Sequence, residues 1–224
     1  MAKAIVLLSG GLDSLTCTAY ALHQGWEVHA ISFHYAQKIS SELSAAQHIA
    51  EHYGISHRVI NLQDLGKMGG SALTDNSIAV EDYQDSEEIP STYVPARNIV
   101  FLSIALGYAE VLGAERIIIG ANAVDYSGYP DCRPEFMAAF QAMASQGTKA
   151  GIEGHGIQLE TPLIHLTKAE IIQLGVSLGV DYSMSVSCYR ADAKGLACGT
   201  CDSCHYRQKG FAEAGIPDPT RYQE

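Results

Sequence analysis

Ala4-Ile5-Val6-Leu7-Leu8, followed at once by Ser9-Gly10-Gly11-Leu12-Asp13-Ser14, is the stretch on which the fold turns. The apolar run reads as a buried strand. Beyond the loop, Leu15, Ala19 and Leu22 recur at helical spacing until Gly25 supplies a stop. The loop therefore joins a strand to a helix N-terminus. Two successive glycines allow the backbone to approach an anion, and the free N–H groups of the first helical turn point at it with the helix dipole in support. Ser9 and Ser14 add hydroxyls, while Asp13 is a carboxylate where phosphate would be repelled unless a cation such as Mg²⁺ lies between them. An ordinary turn with Asp13 as a helix cap is the competing interpretation of the same residues.

Working outward, Val28 to Phe33 and His57 to Leu62 read as second and third strands, with a helix over Ser41 to Tyr53 between them. Arg97 to Leu112 reads as a helix. It precedes Arg116-Ile117-Ile118-Ile119-Gly120, whose unbroken apolar character suits a central parallel strand. Ile157 to Leu159 gives a weaker fifth strand, and Thr167-Lys168-Ala169-Glu170 is a capping-box pattern opening a helix that runs to Leu178. This alternation predicts an α/β fold with a doubly wound, parallel, five-stranded sheet of order 3-2-1-4-5. Its ligand crevice would lie at the carboxyl ends of the strands, where the Ser9 loop emerges. Gln63 to Pro90 shows no periodicity, contains Glu81, Asp82, Asp85, Glu87 and Glu88, and reads as a long acidic surface loop.

The 224 residues suit one such domain, 1–182, with a small cysteine-rich module, 183–224. A formal charge of −11 argues against a broad basic face for nucleic acid and favours a small-molecule substrate. No signal peptide or spanning segment is expected, which places the protein in the cytoplasm, where six cysteines are poor candidates for disulfides. Cys198, Cys201 and Cys204 follow a C-x-x-C-x-x-C pattern, and Cys188 lies close upstream as a fourth ligand. Four thiolates would close a tetrahedral Zn²⁺ site of structural type. An iron–sulfur cluster is the rival, although the fourth Cys and following Pro of the ferredoxin run are missing after Cys204.

The stretch Gly120 to Phe136 follows the fourth strand directly and opens on the same crevice. Its Asp125, Tyr129, Asp131 and Arg133 suit a flat, polar heteroaromatic ligand, as well as a Gly/Pro-rich connection of incidental polarity.

There is no Walker-type Gly-Lys-Ser/Thr in the first loop and no dinucleotide-type glycine pattern. The Ser9 to Ser14 loop instead resembles the SGGxDS loop of the N-type ATP pyrophosphatases, or PP-loop proteins, which have an adenine nucleotide alpha-hydrolase-like fold. Together with Val94-Pro95-Ala96-Arg97-Asn98, the stretch from Val124 to Phe136 and the cysteines from Cys188 to Cys204, it is similar to the 7-cyano-7-deazaguanine synthases of the queuosine pathway. That resemblance implies conversion of 7-carboxy-7-deazaguanine, ammonia and ATP to the nitrile through adenylated acid and amide, with AMP and pyrophosphate released, by a homodimer. It implies ATP at Leu8, Ser9, Gly10, Gly11, Leu12, Asp13, Ser14 and Lys168, with Mg²⁺ balancing Asp13. Asp13, Lys168, Arg97 and Asp125 would serve catalysis; Asp125, Tyr129, Asp131 and Arg133 would bind the acid; Cys188, Cys198, Cys201 and Cys204 would hold Zn²⁺. A tRNA-thiolating enzyme of the same superfamily and a non-enzymatic ATP-binding module are the alternatives.

Overall fold

The computed structural model describes residues 1–38, 41–86, 88–122, 128–192 and 194–223. Five parallel strands, β1 (Lys3–Leu7), β2 (Glu27–His34), β3 (Ser56–Asn61), β4 (Arg116–Ile118) and β5 (Gln158–Glu160), form one sheet of order 3-2-1-4-5. The order predicted from the alternation is the order observed. Among the described residues the helices are α1 (Leu12–His23), α2 (Ser41–Tyr53), α3 (Gln63–Lys67), α4 (Arg97–Leu112), α5 (Pro134–Gly147), α6 (Lys149–Ile152), α7 (Lys168–Ser177) and α8 (Asp202–Ala214).

Period-two alternation along β1 divides the interior into two cores. Ile5 and Leu7 face one side with Ile31 and Ile117, packed by Phe101, Leu102 and Ala105 of α4 and Phe140 of α5. Ala4, Val6 and Leu8 face the other with Ala30 and Ile118, packed by Leu15 of α1, Ile49 of α2, Ile171 of α7 and Phe211 of α8. Ala4, Ile5 and Val6 are wholly buried because both faces of the central strand are covered, as parallel sheets require. Burying each large aliphatic side chain contributes about 1.5–3 kcal/mol, so a charge at Val6 would break this layer.

The capping box at α7 is present. Thr167 N donates to Glu170 Oε2 at 2.8 Å, and Glu170 N donates back to Thr167 Oγ1 at 3.3 Å. Two features differ from the linear pattern. Helix α5 opens with Pro134 at its first turn and buries Met137, Phe140 and Ala144, a spacing hidden behind the polar stretch that precedes it. The segment after Gln63 begins with the short α3 and is then strapped down at its far end: Tyr83 N donates to Thr200 O at 2.8 Å, and Arg190 grips Val80 O and Asp82.

The chain after Ser183 shares the main core. Phe211 packs edge-on against Tyr182, with ring centroids 5.6 Å apart, and Arg207 donates to Tyr182 O at 3.1 Å. Gly210 of α8 lies so close to α7 that a Cβ there would come within 2.6 Å of Lys168 Cγ.

Candidate active site

Strand β1 has β2 on one side and β4 on the other, so the sheet reverses its winding at the carboxyl end of β1. The Ser9 loop lies at that switch. Gly10 has φ +95°, and a Cβ on it would lie 2.1 Å from Glu42 O at the start of α2. Only glycine fits there, on both conformational and steric grounds. Gly120, leaving β4, packs against the same loop from the other side; its Cβ would sit 3.2 Å from the Asp13 backbone.

Hydroxyls organise the loop. Ser14 Oγ accepts from Ser9 N at 3.2 Å and Gly10 N at 3.3 Å, and donates to Gly11 O at 3.0 Å. Ser9 Oγ accepts from Gly11 N at 3.2 Å. Leu12 N donates at 3.2 Å to the hydroxyl of Ser187, far away in sequence. The N–H groups of Asp13 and Ser14 follow in the first turn of α1, where no intrahelical acceptor exists, and they make this end a site for an anion.

Lys168, at the first position of α7, reaches both carboxylate oxygens of Asp13 at 2.9 Å. The Lys168 side chain is 12% exposed and that of Asp13 25%, so the pair is partly shielded from solvent. One cation and one carboxylate thus stand together beside the open helix end.

Two cavities adjoin this point. The smaller, of 220 Å³, runs from the loop toward the end of β2 over Ile31, Phe33 and Phe101, with Tyr35, Glu42 and Arg97 on its wall. The larger, of 790 Å³, is walled by the 81–92 segment, Gly128, Tyr129, Lys168 and the cysteine-bearing segment, including Asp202, Tyr206 and Arg207. Leu12, Asp13, Tyr129, Ser187, Tyr189 and Ser203 line both.

Arg97 belongs to the smaller cavity. Burial works against its charge, but Tyr35, Cys132, Asp131 and Tyr129 more than offset this and hold the guanidinium above the ordinary arginine value. Burial raises the Tyr35 hydroxyl as well, and pushes the Glu42 carboxyl up to about 7 in spite of the nearby Arg97 charge. Ala96, at φ +57° without a glycine, turns the chain so that α4 begins at Arg97, a conformation that costs about 1–2 kcal/mol.

The four residues expected to contact a heterocycle are dispersed. Tyr129 lines both cavities, and its hydroxyl meets Thr92 Oγ1 at 2.8 Å. Asp131 is buried behind the wall, where its Oδ2 accepts from Asn98 N at 2.9 Å and caps α4. Arg133 is exposed at the start of α5, and neither it nor Asp131 lines either cavity. Asp125 lies outside the described residues. Cys132 is buried against Asn98, whose Nδ2 donates to Sγ at 3.2 Å. His34 meets Gln63 Nε2 at 3.3 Å, and His165 is exposed.

The sequence left several wall residues unmarked. Ser187, Ser203, Tyr206 and Arg207 come from the cysteine-bearing segment, and Tyr83 from the acidic one. Their contacts span up to 175 positions, as between Leu12 and Ser187, so no local pattern announces them.

Cys188, Cys198, Cys201 and Cys204 bring their Sγ atoms within 4.8 Å of one another. Cys188 and Cys201 are 4.0 Å apart, and Cys198 and Cys204 3.9 Å. Thiolates at about 2.3 Å from one tetrahedral ion stand about 3.8 Å apart, so this spacing fits a single metal ion. Backbone N–H groups of Arg190 and Cys198 both donate to Cys188 Sγ at 3.2 Å, and Cys201 N donates to Cys198 Sγ at 3.4 Å, favouring thiolates. His205 is not part of the set; its ring stacks flat on Tyr83, 3.6 Å between centroids.

A 3-2-1-4-5 parallel sheet, with a glycine and serine loop opening α1 and a lysine returning to it from beyond β5, defines a nucleotide-binding α/β protein of the PP-loop class. More narrowly, the chain belongs to the family described as "Queuosine biosynthesis protein QueC", which it matches over residues 3–215. It is 64% identical to a 7-cyano-7-deazaguanine synthase of Coxiella burnetii, with 99% of this chain and 98% of that protein covered. An Alcanivorax borkumensis protein of the same name is 60% identical over the full length of both. Among solved structures, an NMN synthetase from Francisella tularensis superposes with a TM-score of 0.51 at 17% identity, over 96% of this chain and 78% of that one, which establishes a shared fold alone.

Proposed function

We propose that the protein converts 7-carboxy-7-deazaguanine, ammonia and ATP into 7-cyano-7-deazaguanine, releasing AMP and pyrophosphate. The observation that carries this reading is near-identity of length and 60–64% sequence identity with proteins bearing that name. The geometry supports it. A carboxylate oxygen is a poor leaving group toward ammonia, and transfer of AMP to it makes a good one. The carboxylate oxygen forms a bond to the α-phosphorus as the bond to pyrophosphate breaks, and the electron pair leaves with pyrophosphate. Ammonia then displaces AMP to give the amide. A second ATP adenylates the amide oxygen, again releasing pyrophosphate; the C–O bond then breaks and AMP leaves with that oxygen as nitrogen loses its remaining protons, which forms the nitrile.

In this reading Leu8, Ser9, Gly10, Gly11, Leu12, Asp13 and Ser14 hold the phosphates at the open end of α1. Ser14 acts through the loop it ties together. Lys168 turns from Asp13 toward the phosphate chain and stabilises the charge that develops on it. Asp13 would hold Mg²⁺, which would supply further charge neutralisation. The smaller cavity, apolar on its floor, takes the adenosine end, and Arg97 completes its charge balance. The larger takes the acid, with Tyr129 at the junction. Asp125 remains assigned to the acid on the family likeness, whereas the burial of Asp131 and the exposure of Arg133 support work on the cavity wall and at the surface instead. The cysteines suit Zn²⁺ in a closed, structural site that holds the segment after Ser183. Exposed Ile99 and Val111 on α4 support a homodimer, and no described helix is long and apolar enough to cross a membrane.

The test is incubation with Mg-ATP, 7-carboxy-7-deazaguanine and ammonium. AMP, pyrophosphate and the nitrile are expected; ADP and phosphate would refute adenylation.

A further inference from the structure

The contact between Leu12 and Ser187 joins the start of α1 to the residue just before Cys188, and it has a direction. Leu12 N–H donates to Ser187 Oγ at 3.2 Å. A second donor, Arg207 Nη1, approaches the same oxygen at 3.5 Å, the outer limit of a hydrogen bond. With N–H donors on the oxygen, the hydroxyl proton must point elsewhere. Among the described residues no acceptor takes it, and Ser187 lines both cavities where they meet beside Asp13.

Ser187 is also held firmly. Ser203 Oγ donates to its carbonyl at 2.6 Å. Arg207, only 4% exposed, is fixed by Asp218 at 3.1 Å and by Ser185 Oγ at 2.8 Å. Just upstream, Val186 N donates to Gly10 O at 2.9 Å, so the segment meets the loop at two consecutive residues.

We propose that Ser187 is a phosphate-binding residue for the pyrophosphate end of ATP, donating its hydroxyl proton to a phosphate oxygen beside the α1 N-terminus, and that Arg207 is the positioning residue that turns the hydroxyl toward it. The proposal rests on the reading of the Ser9 loop as an ATP site. It gives the cysteine-bearing segment a part in phosphate recognition, since Ser187 is placed by the turn that carries Cys188. During adenylation the negative charge grows on the departing pyrophosphate, where a fixed O–H donor is most effective.

The experiment compares affinities of the metal-replete full chain for ATP, pyrophosphate and AMP by calorimetry. Wild-type binding of ATP and pyrophosphate establishes the underlying site; failure to bind either would remove the ATP reading itself. Against that baseline Ser187→Ala should weaken ATP and pyrophosphate about tenfold to hundredfold, as loss of a hydrogen bond to a charged group does, while AMP changes less than about twofold. Ser187→Thr, which retains the hydroxyl, should keep the wild-type ratio of ATP to AMP affinity. Arg207→Lys should reduce that ratio in the same direction as Ser187→Ala. Equal weakening of all three ligands in Ser187→Ala, no weakening at all, or a Thr variant as poor as the Ala variant would overturn the assignment. If Ser187→Ala loses its metal, Ser187→Gly is measured in its place under the same criteria.

Discussion

The Ser9 loop and the cysteine cluster meet at Ser187, but they are built on different principles. Within the loop every internal hydrogen bond spans at most five positions, and its shape follows from Gly10, from Ser14 and from the strand and helix on either side. The cluster gathers four sulfurs from 188 to 204 around a space of ion size, with little apolar packing of its own. One region is shaped by the sheet. The other has the spacing of a metal site, and as thiolates its sulfurs, all within 4.8 Å, would repel one another without a cation between them. A nucleotide site assembled from both, as proposed, would inherit the weaknesses of both.

Removing the metal is the strongest way to separate them. Binding of a structural ion contributes apparent folding energy of about 10–16 kcal/mol, so chelation or Cys201→Ser should release the segment around the cysteines. Limited proteolysis is expected to cut first between 189 and 200, with far-UV circular dichroism largely retained. ATP affinity should fall with the metal content if the regions work as one site. Unchanged ATP binding in the metal-free protein would show that the loop is self-sufficient.

A disruption from the loop side comes next. Gly10→Ala places a Cβ 2.1 Å from Glu42 O at a φ of +95°, and is expected to cost about 3–6 kcal/mol of stability in chemical denaturation. Gly11→Ala is the contrast. Its φ is −82° and the nearest atom to a new Cβ is 3.4 Å away, so it should fold with a loss under about 1 kcal/mol while weakening ATP. Equal losses in the two variants would mean that the collision with α2 relaxes freely.

That contrast marks how far the sequence could be read. The five strands, their order and the place of the crevice were legible because apolar runs, stop signals and alternation are local properties. So was the capping box at Thr167, and so was the cysteine quartet, whose spacing carries its own chemistry. Helix α5 was not, since Met137, Phe140 and Ala144 follow directly on a polar, proline-bearing stretch without helical spacing. Neither was the strapping of Tyr83 and Asp82 to Thr200 and Arg190, because side chains more than a hundred positions apart leave no periodic trace. Asp131 and Arg133, expected at the acid from the chemistry of their stretch and the family likeness, lie where one caps α4 and the other faces solvent.

Lys168 tests the junction chemically. Lys168→Met should lower single-turnover pyrophosphate release about 10²- to 10³-fold, the effect of removing a charge aimed at a developing anion. AMP binding should persist. Loss of AMP binding as well would place the ammonium's main work in holding Asp13, to which both of its 2.9 Å contacts run.

The smallest effect concerns Glu42, whose backbone oxygen braces Gly10 and whose carboxyl shares the smaller cavity with Arg97. Burial raises that carboxyl from 4.5 to about 7, and Arg97 offsets only part of the cost. Below pH 4.5 the folded and unfolded chains both hold the proton, and no penalty arises. Between 4.5 and about 7 the unfolded chain ionises first, so stability falls as pH rises, by at most about 1.4 kcal/mol per pH unit. Above that window the loss persists. Glu42→Gln removes the titration, and should raise stability at pH 8 by about 1–3 kcal/mol while changing it little at pH 5. Urea unfolding of metal-replete wild-type and variant protein at both values reads the difference directly, with the cysteine region unaltered. A variant that gains nothing at pH 8 would mean that Arg97 already balances the carboxylate, so that the charge of the loop side is settled by pairing within the protein.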